Sequence, residues 1–203
     1  MNIRLSTDLN FLAASYHNQK LLMASYSIAI GIVTRSKHTD DVAVAVERIR
    51  YFIENILGNS IFIDQKEKAQ IIKYSQVGLI TIALPELPID QIINMAIYCK
   101  CNAITEGRVD VTDTQLVSSL SGGVRYFFDQ DDNLGSFVQK SGWWLDPDLG
   151  WHDKQAHKDA GTIVKMQSNC SWKSVGLDWA KPTHDQASTD NIVVIGNFGK
   201  KEE

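Results

Sequence analysis

The acidic residues of the stretch FFDQDDNLG are candidates for metal binding, since carboxylate oxygens bind divalent metal ions. Asp129, Asp131 and Asn133 follow the spacing of the first three ligands of a calcium loop. Leu134 stands where such a loop needs glycine, however, and Lys140 stands where it needs glutamate. The spacing therefore favours a solvated hairpin end. We predict no metal site, with Asp129 and Asp131 as the candidate ligands should a metal bind.

Two further polar pairs are spaced poorly for a shared site. In a regular strand, Asp110 and Asp113 of VDVTDT would lie on opposite faces, which argues against a paired-acid site. His152 and His157 are five residues apart, whereas two histidines that share a metal on one helix lie four apart. Neither pair therefore predicts a catalytic or metal-binding centre.

The chain also has none of the common catalytic or phosphate-binding motifs. GxSxG, the P-loop, GxGxxG and HExxH are all absent from the sequence. A site assembled only by folding stays open, and its general base would be sought at His152–Asp153 or His184–Asp185. We predict no catalytic residue and no cofactor.

The number and spacing of the three cysteines limit the roles that they can have as disulfides or metal ligands. Cys99, Cys101 and Cys170 are too few, and odd in number, for the disulfide framework of a small secreted protein. Cys99 and Cys101 fall within a predicted helix, where residues two apart diverge, so we expect buried structural thiols. No CxxC pair supports a zinc site. Reduced thiols in a cytoplasm fit this pattern.

The stretch SGWWLDPDLGWHD contains the strongest candidate for a binding surface. All five tryptophans of the chain lie between Trp143 and Trp179, in a segment without helical or strand periodicity. Each can anchor an irregular segment by burying about 150–250 Å², or it can contact a partner, as tryptophan often does in interfaces. Trp143 and Trp144 would point to opposite sides of an extended chain. We therefore predict an interaction platform at Trp143, Trp144, Trp151 and His152, in which one ring anchors and another binds.

The overall composition excludes several classes of protein. The 203 residues carry a net charge of −4, which argues against a protein that coats duplex DNA. The longest uncharged run, Leu21–Thr34, is shorter than the roughly 20 residues that span a bilayer. The residues before it lack the architecture of a signal peptide. The sequence therefore gives no strong signal of nucleic-acid binding, and we expect no membrane association.

Periodicity predicts the elements that must position these residues. Tyr26, Ile28, Ile30 and Ile32 alternate with small residues, as in a strand with one buried face. The run TDDVAVAVERIRYFIENILG is typical of an amphipathic helix, with Gly58 as its left-handed C-terminal residue. The further predicted elements are a short strand or connector at SIFID, helices at QKEKAQIIKYSQ and IDQIINMAIYCKCNAI, and strands at GLITIAL, RVDVTDTQLVSSL and VRYFF.

These elements predict an α+β fold. We expect a mixed, largely antiparallel sheet with about three helices on one face, plus an irregular Trp-rich C-terminal extension. The predicted units are a core domain at 1–140 and a Trp/Gly/Asp-rich extension at 141–203 that packs on the core.

Three runs of the chain carry a resemblance to a known family. ERIRYFIENILGNSIFI, LPELPIDQIINMAIYCKCNAITEGR and VSSLSGGVRYFFDQDDNLGSF, followed by GWW, resemble an uncharacterised family in tailed-bacteriophage genomes over roughly residues 20–145. No active site is attached to that family, so the resemblance assigns no functional residue. It implies a viral protein that acts in the host cytoplasm or is assembled into a virion.

Three functions follow as hypotheses. The first is a phage-encoded, non-catalytic interaction protein that binds a host or defence factor, either a protein or a small molecule, through the aromatic extension. The second is a virion or assembly component, with NIVVIGNF as an edge strand that pairs with a neighbouring subunit of a homo-oligomer. The third is an enzyme acting on nucleotides or nucleic acid through Asp129, Asp131 and His152.

Overall fold

The computed structural model describes residues 4–36, 38–135, 137, 142–150 and 171–179. The strands are β1 (Arg4–His17), β2 (Lys20–Thr34), β3 (Ile61–Asp64), β4 (Thr81–Leu84), β5 (Val109–Ser118) and β6 (Tyr126–Asp129). The helices are α1 (Thr39–Tyr51), which continues as a π-helix (Phe52–Leu57), α2 (Lys68–Gln76) and α3 (Asp90–Thr105). The strands form one mixed sheet in the order β4-β3-β1-β2-β5-β6. The predicted α+β fold is confirmed.

A long hairpin forms the centre of the sheet. β1 and β2 pair antiparallel from Arg4 opposite Val33 to His17 opposite Lys20. Asn18 and Gln19 form the turn, both at positive φ (48° and 63°), as a two-residue hairpin turn of the mirror-image type requires. β1 was not predicted from the sequence. The turn has no glycine, and glycine is the usual sequence signal for this geometry.

The main core lies between the sheet and two helices. Tyr26, Ile28, Ile30 and Ile32 of β2 are all buried, which confirms the predicted inner face of this strand. α1, its π-helical continuation and α3 pack on that face, and their apolar side chains form one cluster with the strand. This face of the sheet is therefore closed by helices, and we call it the inner face.

The third helix packs on the opposite face. α2 places Ile71 and Tyr74 against a smaller cluster that contains Tyr16 of β1 and Ile63 of β3. The helices are therefore distributed two to one, rather than all on one face as expected. The reason is that β3, α2 and β4 form a parallel β-α-β unit of their own beside the hairpin, and its helix crosses over the outer face.

The end of the first helix differs from the prediction at Gly58. The helix widens over its last turn, and Gly58 N donates to Ile53 O at 3.2 Å, five residues back. Gly58 has φ −57°, and the left-handed residue is Asn59 (φ 63°). Glycine is needed for another reason, because a Cβ at this position would lie closer than 3.0 Å to the backbone oxygen of Glu54.

Because of a bulge in β5, two carboxylates that were predicted to lie on opposite faces of the strand share one face. The register between β2 and β5 shifts between Gly31 and Ile32, so Thr112 is an extra residue on the β5 side. The side chain of Asn102 pairs with the backbone of Val111 at this point, donating to its oxygen and accepting from its N–H. An extra residue reverses the alternation of side chains. Asp110 and Asp113 therefore share the outer face instead of lying on opposite faces.

The predicted domain boundary at residues 140 and 141 lies outside the described residues. Two segments beyond it, 142–150 and 171–179, pack on the core and belong to its main apolar cluster. The strand NIVVIGNF, predicted within 141–203, also lies outside the described residues. The extension as a whole therefore stays a prediction.

Replacing Gly58 with alanine should destabilise the chain. The new methyl group would meet a backbone oxygen of the preceding turn, which cannot rotate away, and we expect a loss of about 2 kcal/mol in the free energy of unfolding. Urea unfolding followed by tryptophan fluorescence would measure this loss. Gly150→Ala is the matched control, since a Cβ there meets no atom within 4 Å. Equal stability of the two variants would contradict the close contact.

Candidate functional site

The two adjacent tryptophans of the predicted platform are buried. Trp143 and Trp144 begin a short 3-10 helix (Trp143–Leu145), and their exposed fractions are 3% and 1%. Their rings meet edge to face, with centroids 5.9 Å apart. The chain is not extended here, so the expectation of opposite-facing rings was wrong. Both side chains point into the core and act as anchors.

Both indole N–H groups have backbone acceptors. Trp143 Nε1 donates to Ala83 O at 2.8 Å, and Trp144 Nε1 donates to Phe137 O at 3.3 Å. A buried tryptophan is stabilised when its single polar group finds such a partner. The apolar area of each ring and its hydrogen bond therefore fix the segment to the core, and neither ring is presented to a partner.

Lys100 of α3 binds the loop that follows these tryptophans. Its side chain is fully buried, and Nζ donates to the backbone oxygens of Trp143, Asp146, Asp148 and Gly150 at 2.7–3.0 Å. An ammonium group has three protons for these four acceptors, so at least one proton is shared. One side chain thereby satisfies four carbonyls that an irregular loop would otherwise leave to water.

Arg48 of α1 holds the second tryptophan segment in a similar way. Its guanidinium lies 4.8 Å from the centroid of the Trp172 ring and 3.7 Å from that of Trp179. Arg48 Nε also donates to Leu177 O at 2.8 Å. The side chain is only 1% exposed. Segment 171–179 is therefore stacked around one buried cation.

Glu106 completes this cluster at the end of α3. Its carboxylate accepts hydrogen bonds from Arg48 Nη1 at 2.9 Å, Trp179 Nε1 at 2.9 Å and Arg108 Nη1 at 3.2 Å. Burial lowers the pKa of the Arg48 guanidinium, and the hydrogen bond and charge of Glu106 oppose that shift. Glu106 thus provides the anion that allows a guanidinium to be buried at this position.

Trp151 and His152 lie outside the described residues, as do Asp153, His157, Cys170 and His184. All four tryptophans that the structure describes are used as anchors, with Trp179 half-buried and the others buried. A binding role at Trp151 and His152 stays a prediction.

The two acidic residues considered as metal ligands lie in a turn, where the carboxylate of Asp129 accepts a backbone hydrogen bond. Asp129 Oδ1 accepts from Asp131 N, and Asp132 Oδ2 accepts from Asp129 N. Asp129 also lies opposite Asp113 in the β5–β6 ladder, so folding brings together carboxylates from two separate motifs. Within the described ranges, no three His, Cys, Asp or Glu side chains are placed to hold a metal ion.

The two helical cysteines have the character of structural thiols. Cys99 and Cys101 are buried. Burial raises the pKa of each thiol to about 12. Nucleophilic attack by cysteine needs the thiolate. These two residues are therefore unsuited to catalysis at neutral pH.

The outer face of the central hairpin carries an exposed apolar surface that the sequence indicated only in part. Leu12 of β1 and Leu21 and Met23 of β2 are 56%, 42% and 66% exposed. Leu21 lies opposite Tyr16 and Met23 opposite Ala14, and both of these β1 residues belong to the cluster covered by α2. The three exposed side chains, which we call the Leu12–Met23 surface, therefore extend that cluster beyond the edge of α2. Their number and contiguity make this surface the candidate functional site.

A sequence signal for this surface was present in β2 but was incomplete. Leu21 and Met23 are the large residues on the face otherwise made of Ser25, Ser27 and Ala29. Their exposure depends on how far α2 reaches, however, and that is set by tertiary packing. Leu12 belongs to the strand that was not predicted.

Solved structures are similar to about two thirds of this chain. No protein-family model and no curated protein matches the chain. A solved structure of an uncharacterised protein from Wolinella succinogenes is similar at a TM-score of 0.47 and 9% identity, covering 64% of this chain and 99% of that one. A catalytic-residue variant of 6-pyruvoyltetrahydropterin synthase from Plasmodium vivax is similar at 0.43 and 10%, covering 65% and 99%. At these scores neither structure bears on function.

The length and composition of the described helices bear on whether one of them could cross a membrane. In the part of the chain that it describes, no helix has the length and apolar character needed to cross a bilayer.

Lys100→Met should release the tryptophan loop. The methionine keeps most of the apolar stem but leaves four carbonyls of the loop without their donor, so we expect a loss of roughly 3 kcal/mol or more in the free energy of unfolding. Urea unfolding followed by tryptophan fluorescence would measure it. Lys73→Met, on the exposed side of α2, should change stability by less than about 0.5 kcal/mol. A Lys100 variant as stable as the Lys73 variant would show that the carbonyls do not depend on the ammonium.

Cys99 and Cys101 should resist thiol reagents in the folded chain. Their pKa is raised from 9 to about 12, so the stability linked to these protons is complete below pH 9 and is lost as the pH rises through 12. In a Cys170→Ser background, labelling by an aromatic disulfide reagent at pH 9 should be at least roughly a hundredfold slower than in urea. Equal labelling rates in the folded and unfolded chain would overturn this interpretation of the thiols.

Proposed function

We propose that this chain is a phage-encoded, non-catalytic interaction protein that binds a host or defence factor in the host cytoplasm. The observation that supports it best is the Leu12–Met23 surface. The proposal differs from the sequence-based hypothesis in one respect, since it places the contact on the outer face of the sheet and not on Trp143 and Trp144.

The apolar character of the surface supports binding over solvation. The outer face of an antiparallel sheet in contact with water normally carries polar side chains. On β2 this pattern is kept at Ser25 and Ser27 but broken at Leu21 and Met23. Large apolar side chains that adjoin one another at a surface are typical of protein contacts. Polar residues on the same face, such as Asn10 and Ser25, would form the rim of an interface.

The chemistry of the described residues supports a non-catalytic role. The two described thiols are protonated at neutral pH, and the Asp129 carboxylate accepts a backbone hydrogen bond within a turn. Its two most deeply buried cations, Lys100 and Arg48, hold backbone segments. These groups serve the fold, which leaves surface recognition as the function that the geometry favours.

Met23→Asp should abolish partner binding without unfolding the chain. A carboxylate at the centre of the apolar surface would have to be desolvated on binding, whereas in the free chain it stays in water. Native mass spectrometry of the tagged protein, gently purified from host lysate, should show a stoichiometric extra mass for the wild type and none for Met23→Asp. The denatured mass of each sample gives the mass of the chain alone.

Val124→Ser is the matched control for this experiment. Val124 is 53% exposed, in the turn between β5 and β6, and it is not one of the three residues of the Leu12–Met23 surface, so this variant should keep the extra mass. A wild-type chain that is purified alone would refute the proposal. A mass that is an integer multiple of the chain would favour the virion or assembly alternative.

A further inference from the structure

A cleft beside the Leu12–Met23 surface has the chemistry of a binding site for a cationic group. It has a volume of about 370 Å³, within the range of small-ligand sites. Phe11 and Tyr26 line it, and their rings, with centroids 4.9 Å apart, are stacked and almost fully buried on the inner face. Polar residues line the rest, namely Asn10, Ser25, Glu54 and Asn59. Leu12 lines it too, so the cleft and the apolar surface are continuous.

Two unusual backbone features meet at this cleft. Glu54 lies in the π-helix, and Gly58 and Asn59 directly follow its last residue. π-Helical turns are rare and are often found at functional sites. Asn59 is in the left-handed region at φ 63°, which costs a residue other than glycine some energy. Its N–H donates to Leu12 O at 2.6 Å, so the strained residue joins the helix end to the strand that carries the apolar surface.

The carboxylate of Glu54 sets the charge of the cleft. Its side chain is exposed and takes part in no ion pair among the residues that the structure describes. Asp8 lies on the outer face of β1, two residues before Asn10, and is exposed as well. The whole chain is acidic, with a net charge of −4. A cation would therefore be attracted to this edge of the sheet, and an anion repelled.

We propose that the cleft binds an arginine or lysine side chain of the partner protein, with Glu54 accepting its charged hydrogen bonds. This inference rests on the proposed function and names the chemistry of the partner. The partner presents a basic side chain beside an apolar patch. The basic group enters the cleft at Glu54, and its apolar neighbours cover Leu12 and Met23.

The continuity of the two surfaces favours a protein over a small molecule. The cleft has room for one long side chain, but the apolar area continues from Leu12 across β2 to Leu21. A molecule confined to the cleft would leave Leu21 and Met23 in water. A protein surface covers the cleft and the apolar residues together, as a charged contact beside an apolar interface.

The first experiment uses a defined probe on the isotope-labelled full chain. Nα-acetyl-arginine methylamide should shift the backbone amide signals of Gly58 and Asn59. The neutral citrulline analogue should have an affinity at least about tenfold lower. Glu54→Gln should weaken binding of the arginine probe by about ten- to a hundredfold. Glu47→Gln, on α1 and outside the cleft, should leave it unchanged. Equal binding of both probes, or an unaffected Glu54 variant, would overturn the inference.

The second experiment separates this inference from the proposed function. The stoichiometric complex detected for the wild type should be weakened by Glu54→Gln, and the loss should diminish at high salt, because screening weakens the wild-type contact. A complex that Met23→Asp removes and Glu54→Gln leaves intact would overturn the inference while the proposed function stands. Binding of the arginine probe without any effect of Glu54 on the complex would assign the cleft to a free small molecule and not to the partner.

Discussion

The buried ammonium of Lys100 is the contact on which the described part of the tryptophan segment depends. A loop without helical or strand hydrogen bonds carries carbonyls that cannot be buried unless they find donors. Lys100 provides a donor to four of them from one point on α3. Only with those carbonyls satisfied can Trp143 and Trp144 enter the core. Arg48 plays the corresponding role for segment 171–179, stacked between Trp172 and Trp179. Two cations on neighbouring helices therefore fasten two irregular segments.

The two faces of the sheet therefore have different roles, since one is closed by helices and the other is partly exposed. The inner face is closed by α1, its π-helical continuation and α3. The outer face is covered by α2 at one side only, so Leu12, Leu21 and Met23 are exposed beyond its edge. The cleft at Glu54 lies beside β1, where the helix of the inner face ends in a π turn and Asn59 returns the chain to the sheet. The aromatic residues that looked most suited to binding are used for structure, and the surface suited to binding consists of ordinary aliphatic side chains.

Much of the fold was predictable from local patterns. The alternation from Tyr26 to Ile32, the stripe of α1 and the periodicity of α3 each reflect a face that must be buried, and these faces are buried in the structure. β1 was missed because its turn uses Asn18 and Gln19 without glycine. The shared face of Asp110 and Asp113 was missed because a bulge depends on the partner strand and on Asn102. The candidate surface was missed because exposure depends on the reach of another element.

The sequence by itself determined the class of the fold, the inner faces of its elements and the absence of known catalytic motifs, because these follow from composition, spacing and period. Only the tertiary structure decided which side chains are available to a partner. A tryptophan or a lysine has the same local sequence whether it is buried or exposed. Its environment is set by residues far along the chain, as with Lys100 and the carbonyls between Trp143 and Gly150. Burial is a property of the packed chain, and it decided which residues anchor and which can bind.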